Sequence, residues 1–174
     1  MNDYICREAD KLIRRFKTRD PFEIAERLGI IVMSKNLGST MGCYLYYKKN
    51  RYILLNQNLP RSLCPIVCGH ELGHDRLHPE YARYSFLKDV TMTDMTSKPE
   101  YQANLFASML LLDEDDILQL MSEGYTTSQI ARELYTLEEL VLLRMSEMNT
   151  ANYQIRIPYM PRGDFLKSFV PEIE

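Results

Sequence analysis

A five-residue motif in the middle of the chain could hold a metal ion. His70, Glu71 and His74 belong to the sequence HELGH, which follows an H-E-x-x-H pattern. On a helix, residues four positions apart lie on one face with Cβ atoms about 6 Å apart, so the two imidazoles can share one Zn²⁺ ion. Glu71 lies off the line between the histidines, where its carboxylate can take a proton from water. The motif predicts a hydrolytic zinc site with Glu71 as general base.

The two histidines also have a purely structural interpretation. After Pro60, apolar residues recur at helical spacing until His78-Pro79, and the histidines continue this buried stripe. His70 and His74 could therefore be hydrogen-bonded core residues. A hydrolytic zinc site needs a third protein ligand and one open position for water, so the metal interpretation requires a further ligand from a neighbouring helix.

Glu100 is the best candidate for the third ligand. It shares a predicted helix face with Ala103 and Asn104, and small alanines would let this helix approach the histidine helix closely. Residues 97–100, with the sequence SKPE, also form a capping-box pattern, in which the glutamate bonds to the backbone N–H of the cap residue. From the residues alone, both interpretations of Glu100 stay open.

The remaining histidine and the cysteines are not expected to bind metal. The longer metzincin motif needs glycine and histidine where this chain has Leu77 and Glu80. We expect His78 to end the helix, where an imidazolium suits the helix dipole. Cys64 and Cys68 are four positions apart, unlike the C-x-x-C pair of metal knuckles, and are expected to pack as thiols.

Helices and three short strands are predicted around this motif. Asp20-Pro21 and Gly29 mark the start and end of the second helix. β-branched and aromatic residues dominate three runs, with Lys48-Lys49-Asn50 as turn material, and predict a small antiparallel sheet. Residues 79–97 are polar and irregular, and the chain from Ala151 is expected to be extended. The predicted helices cover 4–16, 21–28, 63–77, 97–112, 117–122 and two segments within 128–148, and the predicted strands cover 30–33, 41–47 and 51–56.

Composition indicates an ordinary cytoplasmic globular protein. The formal net charge of −3 provides no overall field for nucleic acid or an anionic membrane. The apolar run over 105–112 is far shorter than the ~20 residues that a membrane span needs, and the N-terminal residues lack the apolar stretch of a secretory signal. Without export, the four cysteines are expected to be reduced thiols. We therefore expect no membrane and no direct nucleic-acid partner.

Two functions from other classes are compatible with parts of the sequence. Residues 127–148 resemble a helix, a short turn and a helix, as in a DNA-binding regulator. The second of these helices offers one cation and two carboxylates over 137–144, which is a poor match to phosphates, so packing against other helices is favoured. A zinc-binding sensor that cleaves nothing is the other alternative, and the sequence leaves it open.

Two motifs together closely resemble the ImmA/IrrE family of metallopeptidases. That family pairs HELGH with an E-x-x-A-N-x-F-A helix, which here is EYQANLFA over 100–107. The resemblance implies that Glu100 is the third zinc ligand and that Asn104 supports one of the ligands without itself contacting the metal. It also implies an α+β, zincin-like fold of the gluzincin type, with a small antiparallel sheet, two ligand-bearing helices and a helical C-terminal part. We expect one metallopeptidase domain over 1–150, with a helical subregion at about 114–150, followed by an extended segment over 151–174.

The resemblance also implies a class of substrate. Short members of the family without an N-terminal DNA-binding domain resemble the peptidases of mobile genetic elements, which cut a helix-turn-helix repressor and relieve its control. The strand over 41–47 could offer an edge for an extended substrate segment. The family's second helix usually ends in Leu-Leu-Met-Pro, whereas this chain has LLLD over 110–113, so we expect a differently shaped loop beyond it.

Overall fold

The computed structural model describes residues 2–80, 97–151, 153–163 and 165–168, and local sequence signals bound many of its helices. The Asp20 side chain accepts a hydrogen bond from the Phe22 backbone N–H (2.9 Å) and caps the second helix, while Gly29, with φ of +71°, follows its end. The prediction of an irregular segment over 79–97 falls mainly on 81–96, outside the described residues. In chain order the elements are α1 (Asn2–Phe16), α2 (Pro21–Arg27), β1 (Ile30–Lys35), β2 (Gly42–Tyr47), β3 (Asn50–Asn56), α3 (Cys64–Leu77), α4 (Ser97–Leu111), α5 (Glu114–Ser122), α6 (Thr127–Glu133), α7 (Glu138–Thr150) and α8 (Phe165–Ser168).

The sheet is mixed, which corrects the prediction of an antiparallel sheet. β2 and β3 form the expected antiparallel hairpin, but β1 pairs in parallel with β3, giving the order β1-β3-β2. The connection from β1 to β2 passes over the end of β3, where the Asn56 side chain holds it by donating to the carbonyls of Gly38 (2.9 Å) and Thr40 (2.7 Å). This long-range contact, which strand propensity does not encode, leaves β3 in the centre, where Ile53 is fully buried.

A central pair of helices separates two apolar clusters. On one side, the pair α3 and α4 packs against the sheet and against α1 and α2. On the other side, the pair packs against α5 to α8. This arrangement agrees with the predicted α+β class, and none of the described helices is long and apolar enough to cross a membrane. Fully buried side chains of the first cluster include Ile24, Ile53, Leu72 and Phe106, and those of the second include Ile117, Ile130 and Leu140.

The C-terminal segment folds back onto the second cluster. Asn149 exchanges two hydrogen bonds with the backbone of Ile155 (2.8 and 2.7 Å), and residues 153–163 contain no helix or strand. The expectation of an extended end is wrong for Phe165–Ser168, which form the short helix α8. Phe165 and Leu166 are buried in the second cluster, and this apolar burial holds α8 in place.

Candidate metal centre

α3 and α4 approach each other closely at one glycine. A Cβ atom added to Gly73 would lie 2.9 Å from Ala103 Cα and 3.0 Å from its carbonyl oxygen, so only glycine fits without moving the helices. One turn earlier, a Cβ on Gly69 would meet Leu111 and Ala107 at ordinary distances of 3.4 to 3.7 Å. The prediction of a close approach rested on the alanines alone. A stronger sequence signal for close helix packing was a pair of glycines four positions apart on α3 together with a pair of alanines four positions apart on α4.

This approach brings three ligand atoms together. The Nε2 atoms of His70 and His74 lie 3.1 Å apart. Glu100 Oε2 lies 3.5 Å from His70 Nε2, and the other carboxylate oxygen, Oε1, lies 3.6 Å from His74 Nε2. In a tetrahedral site with bonds of 2.0 to 2.2 Å, neighbouring ligand atoms are separated by about 3.3 to 3.6 Å. All three side chains are buried. One donor atom from each of the three residues lies within 4.8 Å of the others, so the cluster is compact enough to surround one metal ion.

A buried asparagine holds the first of the two imidazoles. Asn104 Oδ1 lies 2.7 Å from His70 Nδ1, and Asn104 Nδ2 donates to the Gly163 carbonyl (2.8 Å). An oxygen acceptor at Nδ1 requires the proton on that nitrogen, which leaves the Nε2 lone pair facing His74 and Glu100. Asn104 was singled out from the sequence. Gly163 was not, because no local pattern indicates a backbone carbonyl that reaches the site from 59 positions away.

The charges around His70 favour a cation. Burial by itself lowers the pKa of His70, but the hydrogen bond with Glu100 and the negative charges of Glu71 and Glu100 outweigh burial, so the pKa is raised above its ordinary value. Proton and metal ion are the two cations that can occupy such a site. The three donors and the acidic surroundings therefore fit a divalent ion.

Glu71 lies beside the first residues of β2. Its side chain is buried, and a Cβ atom added to Gly42 would lie 3.3 Å from Glu71 Oε1 and overlap Val67. Burial, together with the Glu71 charge, raises the pKa of the neighbouring Cys43 thiol to about 11. The glycine at position 42 therefore lets the sheet edge and the carboxylate meet. No signal in the sequence pointed to this role.

Comparison with known proteins identifies the family. Residues 25–146 match the peptidase M78 family, described as the IrrE N-terminal-like domain. This chain belongs to that family. It is 40% identical over 122 residues to the uncharacterized immunity region protein 2 of Bacillus phage phi105, covering 70% of this chain and 76% of that protein. It is 30% identical over 132 residues to Metallopeptidase ImmA of Bacillus subtilis strain 168, covering 73% and 75%.

Membership in the M78 family confirms the resemblance predicted from the two motifs. The matched region contains both HELGH and the helix over 100–107. A peptidase family implies a protein substrate, and the His-His-Glu cluster supplies a donor set for a metal ion.

One edge of the sheet in this M78 domain lies beside Glu71. The Asn56 backbone N–H donates to the Met41 carbonyl (2.8 Å), and in an antiparallel pair such bonded positions alternate. The backbone N–H and C=O groups of Gly42, Tyr44 and Tyr46 therefore point away from β3. Among the described residues, no strand pairs with that outer edge of β2.

A cavity of about 310 Å³ lies under the same strand. Arg51 contacts both carboxylate oxygens of Asp75 (3.2 and 3.1 Å). Burial, and then the charge and hydrogen bond of Asp75, raise the pKa of Tyr44. Asp75 follows Glu71 by one helical turn, so the cavity lies next to the candidate catalytic carboxylate along β2. Its lining residues are Tyr44, Tyr46, Arg51, Asp75, Arg76 and Pro79.

The other sequence-based expectations about histidine and cysteine have mixed outcomes. His78 ends α3, with its backbone N–H bonded to the His74 carbonyl (2.9 Å), as predicted. Its expected positive charge is wrong, because burial lowers its pKa and favours the neutral imidazole. Cys64 and Cys68 are free thiols, and Cys68 is buried in the first apolar cluster.

The second helix of the DNA-binding alternative is buried. α7 contributes Leu140 to Met145 to the protein interior, so it cannot enter a DNA groove without unfolding this part of the domain. Its cation, Arg144, is buried and bonded to the Glu114 carboxylate (3.1 Å) and the Leu112 carbonyl (3.3 Å). Packing between helices explains this segment, which argues against a DNA-binding function.

Proposed function

We propose that this chain is a zinc-dependent endopeptidase of the gluzincin type. In this proposal His70, His74 and Glu100 hold the Zn²⁺ ion, Asn104 orients His70, and Glu71 is the general base. The convergence of two imidazole nitrogens and one carboxylate within 3.1 to 3.6 Å carries the proposal. We further propose that residues 1–150 form one metallopeptidase domain and that the segment over 151–174 is appended to it.

The roles of the side chains follow from their protonation and burial. A Zn²⁺ ion in this position would polarise the scissile carbonyl and lower the pKa of water. His70 and His74 direct neutral Nε2 lone pairs toward the same point as the Glu100 carboxylate. Glu71 takes a proton from the attacking water and later delivers it to the leaving amine. Because Glu71 is buried, bulk water does not screen its charge during these transfers.

We propose that the substrate binds as an extended strand along β2. The outward-pointing backbone groups of Gly42 and Tyr44 can bond to a peptide in the manner of an added strand. Gly42 lies next to Glu71, so this pairing would place a peptide bond of the substrate close to the catalytic carboxylate. The adjoining cavity can receive a substrate side chain.

Replacing Tyr44 with proline tests the strand proposal. Tyr44→Pro removes one outward N–H without breaking a ladder bond to β3, so we expect cleavage to fall at least tenfold while zinc is retained. Tyr44→Ala is the matched control, because it removes the same side chain and keeps the N–H. Equal activity of the two variants would argue against substrate pairing at this edge.

We infer that the substrate is a helix-turn-helix repressor of a mobile genetic element, cleaved in the cytoplasm. A relative at 40% identity is named an immunity region protein of a phage, and a second is named a metallopeptidase, which supports a peptidase that acts on a regulator in such an element. The four free thiols agree with a reducing compartment. Cleavage of the repressor would relieve its control of the element.

Co-expression with a helix-turn-helix repressor from the same genetic element tests the function. We expect a cleaved repressor with the unmodified chain and none with Glu71→Gln, which replaces the proton acceptor by an isosteric amide. Glu26→Gln, at an exposed position on α2, is the matched control and should cleave normally. Zinc content and thermal unfolding of the purified variants establish that Glu71→Gln still folds and binds metal. Zinc binding without cleavage by the unmodified chain would instead support the non-catalytic sensor.

A further inference from the structure

The C-terminal segment reaches the candidate metal centre through one side chain. The Gly163 carbonyl accepts a hydrogen bond from Asn104 Nδ2 (2.8 Å), and Asn104 Oδ1 accepts one from His70 Nδ1 (2.7 Å). Asn104 is fully buried, so water cannot replace either partner without a structural change. These two hydrogen bonds connect Gly163, after α7, to the His70 imidazole through Asn104. We call the pair of bonds the relay.

The direction of this relay is set by the backbone carbonyl. An asparagine amide can be turned so that its oxygen and nitrogen exchange places, and both orientations have nearly the same shape. A carbonyl oxygen only accepts hydrogen bonds. Gly163 therefore requires the NH₂ group of Asn104 to face it, which turns Oδ1 toward His70. With Oδ1 at that position the Nδ1 atom must carry the proton, and Nε2 keeps its lone pair.

Without that carbonyl, the second orientation of the amide becomes available. The Asn104 NH₂ group could then donate to His70 Nδ1, which would place the imidazole proton on Nε2. That tautomer directs N–H at the point where His74 and Glu100 converge and cannot bind a metal ion there.

We propose that the C-terminal segment is a positioning element for the metal site, in which the Gly163 carbonyl fixes the tautomer of His70 through Asn104. The segment is held on both sides of Gly163. Before it, Ile155 exchanges two hydrogen bonds with Asn149, and after it Phe165 is buried in the second apolar cluster. These anchors keep the carbonyl in register with Asn104. The inference rests on the proposed metal site but not on peptidase activity.

Two truncations in two backgrounds test the inference. Deleting 161–174 removes Gly163, whereas deleting 169–174 keeps it together with α8 and serves as the control. Each deletion is made in the unmodified chain and in Asn104→Asp, whose carboxylate can only accept and therefore imposes the same His70 tautomer without help from Gly163. The carboxylate cannot donate to the Gly163 carbonyl, so that bond is already lost in full-length Asn104→Asp. The loss of α8 from the second apolar cluster is common to both backgrounds.

Zinc affinity is the first readout, by competition with a chelating indicator. We expect deletion of 161–174 to weaken zinc binding about 10- to 100-fold in the unmodified background, the range for loss of a group that orients a metal ligand, and less than about threefold in the Asn104→Asp background. Deletion of 169–174 should change neither. An equal loss in both backgrounds would overturn the proposal, because truncation would then act through something other than the amide orientation.

The tautomer itself is the second readout and needs no metal. Nitrogen-15 NMR of the metal-free protein, above the pH at which His70 is protonated, should show the His70 proton on Nδ1 in the full chain and a shift toward Nε2 after deletion of 161–174. An unchanged tautomer would overturn the proposal even if the chain proves to be a peptidase. If the truncated chain does not fold, the full-length Phe165→Ala, Leu166→Ala double variant releases the same segment and is measured in the same two backgrounds.

Discussion

Replacing Gly73 by alanine should force the two ligand-bearing helices apart. Alanine gains about 0.8 to 1 kcal/mol of helix propensity over glycine in a helix interior. The added Cβ would lie 2.9 Å from Ala103 Cα and 3.0 Å from its carbonyl oxygen, and backbone atoms cannot move aside by changing a rotamer. Overpacking of this kind costs about 1 to 3 kcal/mol, and contact with backbone puts the cost near the upper end. We expect a net loss of about 1 to 2 kcal/mol.

Gly69→Ala is the matched control on the same helix. It makes the same chemical change on the same α4-facing side, but its Cβ would meet the Leu111 and Ala107 side chains at 3.4 to 3.7 Å, which is ordinary contact. The propensity gain should therefore remain, and stability should rise by up to about 1 kcal/mol. In a chain of this size, 1 kcal/mol corresponds to about 2 to 4 °C in Tm. The two variants should shift Tm in opposite directions.

Thermal unfolding and zinc titration together measure the effect. Metal ligation tolerates displacements of only about 0.2 Å, so separation of α3 from α4 should also weaken zinc binding in Gly73→Ala, while Gly69→Ala binds normally. The reasoning is refuted if Gly73→Ala unfolds at or above the temperature of the unmodified protein with full zinc affinity. Such a result would mean that the helices need no glycine for their approach.

Three further predictions concern the metal, a buried ion pair and acid stability. Removing metal with a chelator should lower the Tm of the unmodified chain, and added zinc should restore it. At a zinc concentration 100 times Kd, the expected stabilisation of the unmodified chain is about 2.7 kcal/mol. The Tm of Glu100→Gln should respond only weakly to zinc. Asp75→Asn should reduce the free energy of unfolding by about 3 kcal/mol in urea, the low end for a broken buried pair, because Asp75 is 1% exposed but Arg51 is 29% exposed. Asp113 is partly desolvated, but its bonds to the Asp115 backbone N–H and to Arg19 outweigh this and lower its pKa below that of an ordinary aspartate. The stability from this shift is therefore present above the pKa of Asp113 in the unfolded chain and is lost as pH falls through its pKa in the folded chain. We expect Asp113→Asn to be less stable than the unmodified chain at pH 7 and equally stable in acid. Urea midpoints measure this difference.

Local signals in the sequence accounted for most of the helices and strands and for the pairing of the two histidines. Asp20, Pro21 and Gly29 bound α2 because capping depends on a few neighbouring residues, and the hairpin turn at Lys48-Lys49 adopts the positive φ values that a two-residue loop requires. The HELGH spacing predicted that two imidazoles share a helix face, since helical periodicity alone places them there. These inferences needed no knowledge of how distant parts of the chain meet.

Long-range contacts decided the features that the sequence did not reveal. The parallel pairing of β1 with β3 depends on which strand reaches the centre of the sheet, and strand propensity carries no direction. Gly42 and Gly73 have their roles only because β2 and α4 pack against α3, and the Gly163 carbonyl meets Asn104 only because the C-terminal segment folds back. The residue types that can bind a metal ion are thus apparent in the chain. The distances among these residues arise from packing, in which backbone carbonyls and glycines without a Cβ atom matter as much as the metal-binding side chains.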